Sequence, residues 1–444
     1  MLQRAIDPLS RPFDDEFERL SRLHSSGRPV RVDFREMVGN SSAAERFTHR
    51  FHPYPAKLLL NIPLFFLNCS QLVRPGSVVY DPFCGSGTVL VEALVRGVRA
   101  CGSDSNPLAR LITRAKTTLV SEDSVLNALE TIRANLPRKS GPVPEGSVEL
   151  ERWFSPGVRL RLARLLRSIE AHTSGDVAVF FRTCFSTVVS RVSLTDPTVP
   201  VPVMLNPRKA SLSDDQKRER RRWLKERSEA LVYDIFCEVV RHNLARLKRL
   251  AEHVHERCDV SVTDDARASV GVEDVDLVIS SPPYGSAQKY IRSSCLSLQW
   301  LGLAPNGLRD LERLSIGREH FSRAEMTDVP VVAKSSEKLL EQIGRINPLR
   351  RQIAATYLTE MRDALGSTYR RVRPGGHVVL VVGNNTVCGR VFDTQRYLTE
   401  ISNDLGLKLL LRMEDCIRSR GLITKRHSSA GVIGKESILV FRKG

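Results

Sequence analysis

Two short stretches of the chain gather groups that could do chemistry. The first is "SPPY", Ser281, Pro282, Pro283 and Tyr284, which ends the strand-length apolar run Asp276–Ser280. Prolines lack the N–H that a β-ladder needs, so they stop a strand. A proline pair also sets the directions of the carbonyls around it. A hydroxyl, fixed carbonyls and a stiff ring together suit the holding of a flat polar molecule. The second stretch is "DPFCGSGT", Asp81, Pro82, Phe83, Cys84, Gly85, Ser86, Gly87 and Thr88. Its glycines let backbone approach a ligand closely. The G-K-[ST] ending of a P-loop is absent, as is the third glycine of the dinucleotide fingerprint. Asp81 would repel a phosphate, so a cationic ligand fits better. The plain alternatives are a strand stop at the first stretch and a tight turn at the second.

The elements around these stretches predict where they sit. "SVVYDP", "FCGSGT", "VLVEALVRG" and "VRACGSD" read as strand, turn, helix and strand, a βαβ unit that implies a parallel sheet. The glycine turn then lies at the carboxyl end of a strand, where open α/β sheets bind ligands. Asp104, ending the second strand, stands where an acid commonly accepts ribose hydroxyls, and an N-cap role there is compatible. A nucleoside with positive charge would suit Asp81 and Asp104 together, and S-adenosylmethionine is such a molecule.

A helix follows near Pro107–Lys116, and residues 120–257 show helical spacing with little strand signal. Within them lie a proline-rich loop, "VSLTDPTVPVPVMLNPRKASLSDD", and the basic run "KRERRRWLKER", whose Lys217, Arg221, Arg222 and Trp223 are candidates for contacts to a nucleic-acid backbone, a solvated helix face being the equal reading. Strands resume at "CDVSVTD" and "DVDLVISS", then at "HVVLVVG", "LKLLLRM" and "ESILVFRK", the last two close enough to pair antiparallel. The prediction is one α/β domain with a seven-stranded, mostly parallel sheet and a largely helical insertion. Residues 1–45 form an N-terminal extension, 46–119 and 258–444 the catalytic domain, and 120–257 the insertion.

Composition narrows the partners. The chain has 444 residues, 41% hydrophobic and 26% charged, and a formal charge of +17, which favours a polyanion such as nucleic acid. No apolar run approaches transmembrane length, and the N-terminus lacks the apolar core of a secretory signal. The nine cysteines are scattered with no C-x-x-C pair, which predicts reduced thiols in a cytoplasm and no zinc site.

With these residues in view, the chain resembles the S-adenosylmethionine-dependent DNA amino-methyltransferases, which methylate the exocyclic nitrogen of cytosine or adenine. "DPFCGSGT" resembles their motif I and "SPPY" their catalytic motif IV. "HPYPAK", with His52, Tyr54, Pro55 and Lys57, resembles motif X, which would shape the floor of the cofactor site, a surface lysine being an equal reading of Lys57. "TDDAR" resembles motif III and places Asp265 near the cofactor's adenine. "RPGGHVVLVVGNN" is similar to the fifth-strand region of class I methyltransferases. The resemblance covers roughly 46–116 and 258–444.

It implies a class I, Rossmann-like fold and methyl transfer by direct displacement to a flipped-out base in double-stranded DNA. Ser281 and the Pro282 carbonyl would hold the amine and Tyr284 would stack on the base. Serine at 281 favours cytosine N4 over adenine N6. Carbon-5 methylation needs a cysteine that usually follows a proline, and no cysteine here does. Lys289 and Arg292 would lie at the substrate mouth, where a solvated helix face is an equal reading. The insertion and the stretch 300–350 are both candidates for target recognition. A cognate restriction endonuclease or defence system is the implied setting, with a solitary modification enzyme as the other. A guanine-N2 RNA methyltransferase and a catalytically silent nucleic-acid-binding protein of the same fold are the rival readings.

Overall fold

A computed structural model describes residues 11–24, 27–39, 46–55, 57–139, 141–254, 260–268, 271–285, 290–322, 325–327, 329–416 and 435–444. Its strands are β1 (Val30–Val32), β2 (Val78–Asp81), β3 (Arg99–Ser103), β4 (Val260–Thr263), β5 (Val275–Ser280), β6 (Val372–Val382), β7 (Asn385–Val387), β8 (Arg390–Phe392), β9 (Leu407–Cys416) and β10 (Lys435–Lys443). Eight of them form one sheet in the order β1-β9-β10-β6-β5-β2-β3-β4, and β7 and β8 form a separate hairpin. From β4 to β6 all neighbours are parallel. β10 enters antiparallel between β6 and β9.

The sheet therefore has eight strands where the sequence predicts seven. The additional strand is β1, within the segment read as an extension, and it pairs in parallel with the end of β9. Three residues, Val-Arg-Val, are too few for a period-2 signal, and pairing with an existing edge makes them a strand. β6 also begins earlier than the strand read from "HVVLVVG": it starts at Val372 and takes in "RPGG", and its register against β5 shifts between Val275 and Leu277.

Side chains alternate across the sheet as the pleat demands. Val79, Ile279, Val379, Val381, Ile438 and Val440 face a core with the helices Asn61–Leu67 and Thr88–Val95. Val78, Tyr80, Val378, Leu380, Leu439 and Phe441 face the opposite core, with the helix Pro348–Arg371. Both faces are covered, which explains why the central strands read as continuous apolar runs.

Between β3 and β4 the chain is helical, and its core is continuous with the sheet's flank. Residues of the helices Pro156–His172, Gly175–Val192 and Val232–Ala251 share one cluster with Phe51, Tyr54, Ile112 and Ile291. The helix Asp214–Ser228, which carries the basic run, buries no residue. Among the described residues no helix is long and apolar enough to cross a membrane.

One buried ion cluster joins the segment 46–49 to the helix Thr88–Val95. Glu92, 2% exposed, accepts from Arg46 Nη2 at 2.8 Å and His49 Nε2 at 2.6 Å. Burial pushes the imidazole of His49 down to about 4, so near neutrality it donates as a neutral ring. Glu92→Ala would remove the carboxylate that Arg46 and His49 share, and should cost about 3–5 kcal/mol of stability. Urea unfolding of the variant beside wild type measures that loss.

Candidate active site

β2 and β5 are neighbours, yet the chain leaves them toward opposite sides of the sheet, β2 toward β3 and β5 toward β6. This is the switch point at which an open sheet leaves a crevice beyond its carboxyl ends. "DPFCGSGT" begins at the last residue of β2, and "SPPY" follows the last residue of β5. The two ends are tied directly, since Ser280 Oγ donates to Asp81 Oδ1 at 2.5 Å. Asp81 also accepts the Phe83 N–H at 3.1 Å. Burial, opposed by these hydrogen bonds, pushes its carboxyl up to about 7.

The glycine loop is shaped by what presses on it. Gly87 has φ 74° and caps the helix Thr88–Val95, and a Cβ there would lie 2.7 Å from Thr113 Cγ2. Gly102 on β3 is equally constrained, because its Cβ would lie 2.8 Å from that of Cys84. From the helix Pro107–Thr117, Thr113 Oγ1 donates to Gly85 O at 2.9 Å and Lys116 Nζ to Ser86 O at 2.6 Å. The loop is thus held by its carbonyls from behind.

In front of it opens a cleft with an empty volume of about 690 Å³, counted out into open solvent. Pro82, Phe83 and Gly85 line it from one loop and Ser281 and Pro283 from the other. Asp104 and Asp265 line it from the turns after β3 and β4, and Tyr54 from the "HPYPAK" segment. Asp104 accepts the Gly85 N–H at 2.9 Å and the Asn106 N–H at 2.8 Å, so each oxygen keeps a lone pair for a ligand hydroxyl. Burial pushes its carboxyl up to about 6. Asp265 pairs with Arg267 at 2.8 Å.

The remaining sequence-predicted residues lie around the cleft rather than in its lining. Asp81, Cys84, Ser86, Gly87 and Thr88 form the buried base of the loop. His52 faces the helical layer, with Nε2 2.8 Å from Ser186 Oγ, and burial pushes its ring down to about 3. Pro55 is half-buried, and Lys57 donates its Nζ to the carbonyls of His49 and His52 at 2.9 and 2.8 Å. Pro282 and Tyr284 are outside the lining, and the Tyr284 hydroxyl donates to Glu436 Oε1 at 2.9 Å. Arg292 is exposed on the first turn of the helix Tyr290–Trp300, whose Tyr290 and Ile291 line the cleft. Lys289 lies outside the described residues. The basic run sits on its unburied helix, with Lys217 paired to Asp214 at 3.0 Å and Arg222 to Glu226 at 2.8 Å. Arg221 is exposed there, and Trp223 carries Arg227 over its ring at 3.5 Å.

Three contributors are not found by the sequence reading. Asn106 donates to Tyr54 Oη at 3.2 Å and Ser294 Oγ at 3.1 Å while it caps the following helix; "NP" before a helix is a visible cap signal. Leu314, Ser315 and Ile316 line the cleft from the 300–350 connection. Arg267 holds them by donating to Leu314 O at 2.8 Å. No local pattern marks them.

The lining contains two carboxylates and, among the described residues, no lysine or arginine. That wall suits a cationic nucleoside and disfavours phosphates. A family model described as the RMKL-like methyltransferase domain matches residues 48–136, the segment from "HPYPAK" through both strands that bear Asp81 and Asp104. The chain carries an S-adenosylmethionine-dependent methyltransferase domain. Its sheet order, with the antiparallel β10 between β6 and β9, is the class I arrangement.

Among relatives, the Type II methyltransferase M.MvaI of Kocuria varians is 24% identical, over 98% of this chain and 94% of its own length. The Type II methyltransferase M.BsoBI of Geobacillus stearothermophilus is 23% identical over 43% of this chain and 41% of its own. The tRNA (guanine(10)-N(2))-methyltransferase of Saccharomyces cerevisiae is 30% identical over 20% of this chain and 22% of its own.

Asp81 and Asp104 titrate above the ordinary carboxyl range, so each stabilises the free protein at low pH. That contribution is lost as pH rises through about 7 and about 6. A cationic ligand favours the ionised forms. The rise in melting temperature caused by S-adenosylmethionine should therefore be larger at about pH 8 than at about pH 5. Asp104→Asn should shrink the rise and flatten its pH dependence, which differential scanning fluorimetry would read.

Proposed function

We propose that this protein is a site-specific DNA methyltransferase that acts on an exocyclic amine, cytosine N4 in preference to adenine N6. The observation that carries the reading is the single cleft shared by Gly85 and Asp104 of the cofactor side and Ser281 and Pro283 of "SPPY". An exocyclic amine is a poor nucleophile because its lone pair is delocalised into the ring. Acceptors that hold its hydrogens turn that pair out of conjugation, and the Ser281 hydroxyl and the Pro282 carbonyl are the acceptors assigned here. Tyr284 is assigned the stacking of a base withdrawn from the duplex. The bound cofactor supplies an electrophilic methyl group. The protein's own part is positioning and the exclusion of water.

Asp104 is assigned the ribose hydroxyls, Asp265 the side toward the adenine, and the Asp81–Thr88 loop the body of the cofactor. Burial raises the thiol of Cys84, at the base of the glycine loop, well above its ordinary value. DNA as the substrate is supported by the +17 charge and by the end-to-end likeness to a Type II methyltransferase. The serine at 281 supports cytosine N4 over adenine N6. The unburied helix Asp214–Ser228 is assigned backbone contacts, which give affinity rather than sequence reading.

The decisive experiment incubates the protein with S-adenosylmethionine and either DNA or tRNA, digests both, and identifies methylated nucleosides by mass spectrometry. N4-methylcytosine from DNA is expected. N6-methyladenine would correct the base, and label confined to tRNA would overturn the reading. Ser281→Ala and Tyr284→Ala should each lower turnover by about 100-fold or more, with cofactor affinity by calorimetry unchanged.

A further inference from the structure

The ring of Tyr284 is tied at its far end by a carboxylate outside the cofactor cleft. Glu436 Oε1 accepts the hydroxyl at 2.9 Å. It can do so because β10 runs antiparallel to β6, so its first residues emerge at the edge where β5 releases "SPPY", two strands away. A hydrogen bond to an ionised acceptor is among the stronger side-chain contacts. An aromatic held at both its backbone and its hydroxyl keeps the direction of its ring axis, and the preference of a phenol O–H for the ring plane restrains rotation about that axis.

Glu436 does not stand alone. Its cross-strand partner on β9 is Asp415, 3% exposed. β1 brings two more charges to the same corner: Val32 pairs with Asp415, and Asp33 and Arg35 follow it directly. Burial raises both acids, Asp415 to about 6; Asp33 raises Asp415 further, and Arg35 lowers both. Carboxylates gathered away from water cost stability, and of the acids at this corner it is Glu436 that accepts the tyrosine hydroxyl.

We infer that Glu436 is a positioning residue for the transfer reaction: by anchoring the hydroxyl it holds the Tyr284 ring in place for the target base to stack on. The inference rests on the base-holding role proposed for "SPPY".

The test is a double-mutant cycle. Turnover on duplex DNA is measured for wild type, Glu436→Gln, Tyr284→Phe and the double variant, with cofactor affinity measured separately by calorimetry. Glu436→Gln preserves shape and should lower kcat by about tenfold, the weight of one hydrogen bond to a charged group, with cofactor affinity unchanged. In the Tyr284→Phe background it should add no further loss. The acid limb of the kcat–pH profile should also disappear in Glu436→Gln. Asp415, Asp33, Arg35 and Tyr290 also face this corner, and a limb that stays in place would belong to one of them and overturn Glu436 as the titrating anchor.

Wild-type kcat in Glu436→Gln, or an equal loss in both backgrounds, would overturn the positioning role. A wild-type protein that labels no DNA is a different result. It would remove the functional reading and the positioning role with it. Coupled losses in thermal unfolding of the same four proteins would then still show the contact itself.

Discussion

The hydrogen bond from Ser280 to Asp81 is the contact on which the geometry of the site depends. Two parallel neighbours each release a loop, and the loops face one cleft only if their strands end in a fixed relation. The backbone pairs Val79 with Leu277 and Tyr80 with Val278, and the buried contact at 2.5 Å closes the pairing at the last residue of each strand. A slip of one residue would turn every side chain of β5 to the opposite face. Both cores and the "SPPY" loop would be misplaced together. The carboxyl that makes this contact is buried, so the loop is held at the cost of an acid withdrawn from water.

That cost recurs along the carboxyl edge of the sheet. Asp81, Asp104, Asp415 and Glu436 all titrate above the ordinary carboxyl range, chiefly through burial. The protein as a whole carries +17. At the crevice itself the lining carries acids and, among the described residues, no lysine or arginine. A cationic small molecule and a polyanionic macromolecule can be accommodated by one chain on this plan, because the first is met by buried, short-range acceptors. The second is met by exposed charges whose reach is set by screening. The basic helix contributes less free charge than its composition suggests, since Lys217, Arg218 and Arg222 each pair with an acid three or four residues away.

Legibility in the sequence follows how local each signal is. The glycine loop, the strands that flank it and "SPPY" are contiguous patterns set by backbone chemistry, and the structure places both loops at one cleft. The helix read from Pro107 appears as Pro107–Thr117, because its cap and periodicity lie within the segment. β1 is a strand only because the edge of β9 is available to it. His52 belongs to a motif that reads as cofactor-facing, yet its ring meets Ser186 across 134 positions of chain, a contact no spacing reveals. Leu314–Ile316 reach the cleft through the Arg267 tether, and nothing in those three residues signals it.

By itself, the sequence determined the chemistry of the two loops: where backbone can approach a ligand, where a strand must stop, and which ring and hydroxyl stand beside the stop. These are properties of residue type and order over fewer than about ten positions, and folding does not change them. Only the tertiary structure decided which side chains complete the site. Asn106 beside Tyr54, Glu436 behind Tyr284 and Arg35 near Glu436 are brought together by strand order and direction. An antiparallel β10 puts its first residues at the same edge as the last residues of β5 and β6, and that direction is a consequence of global packing.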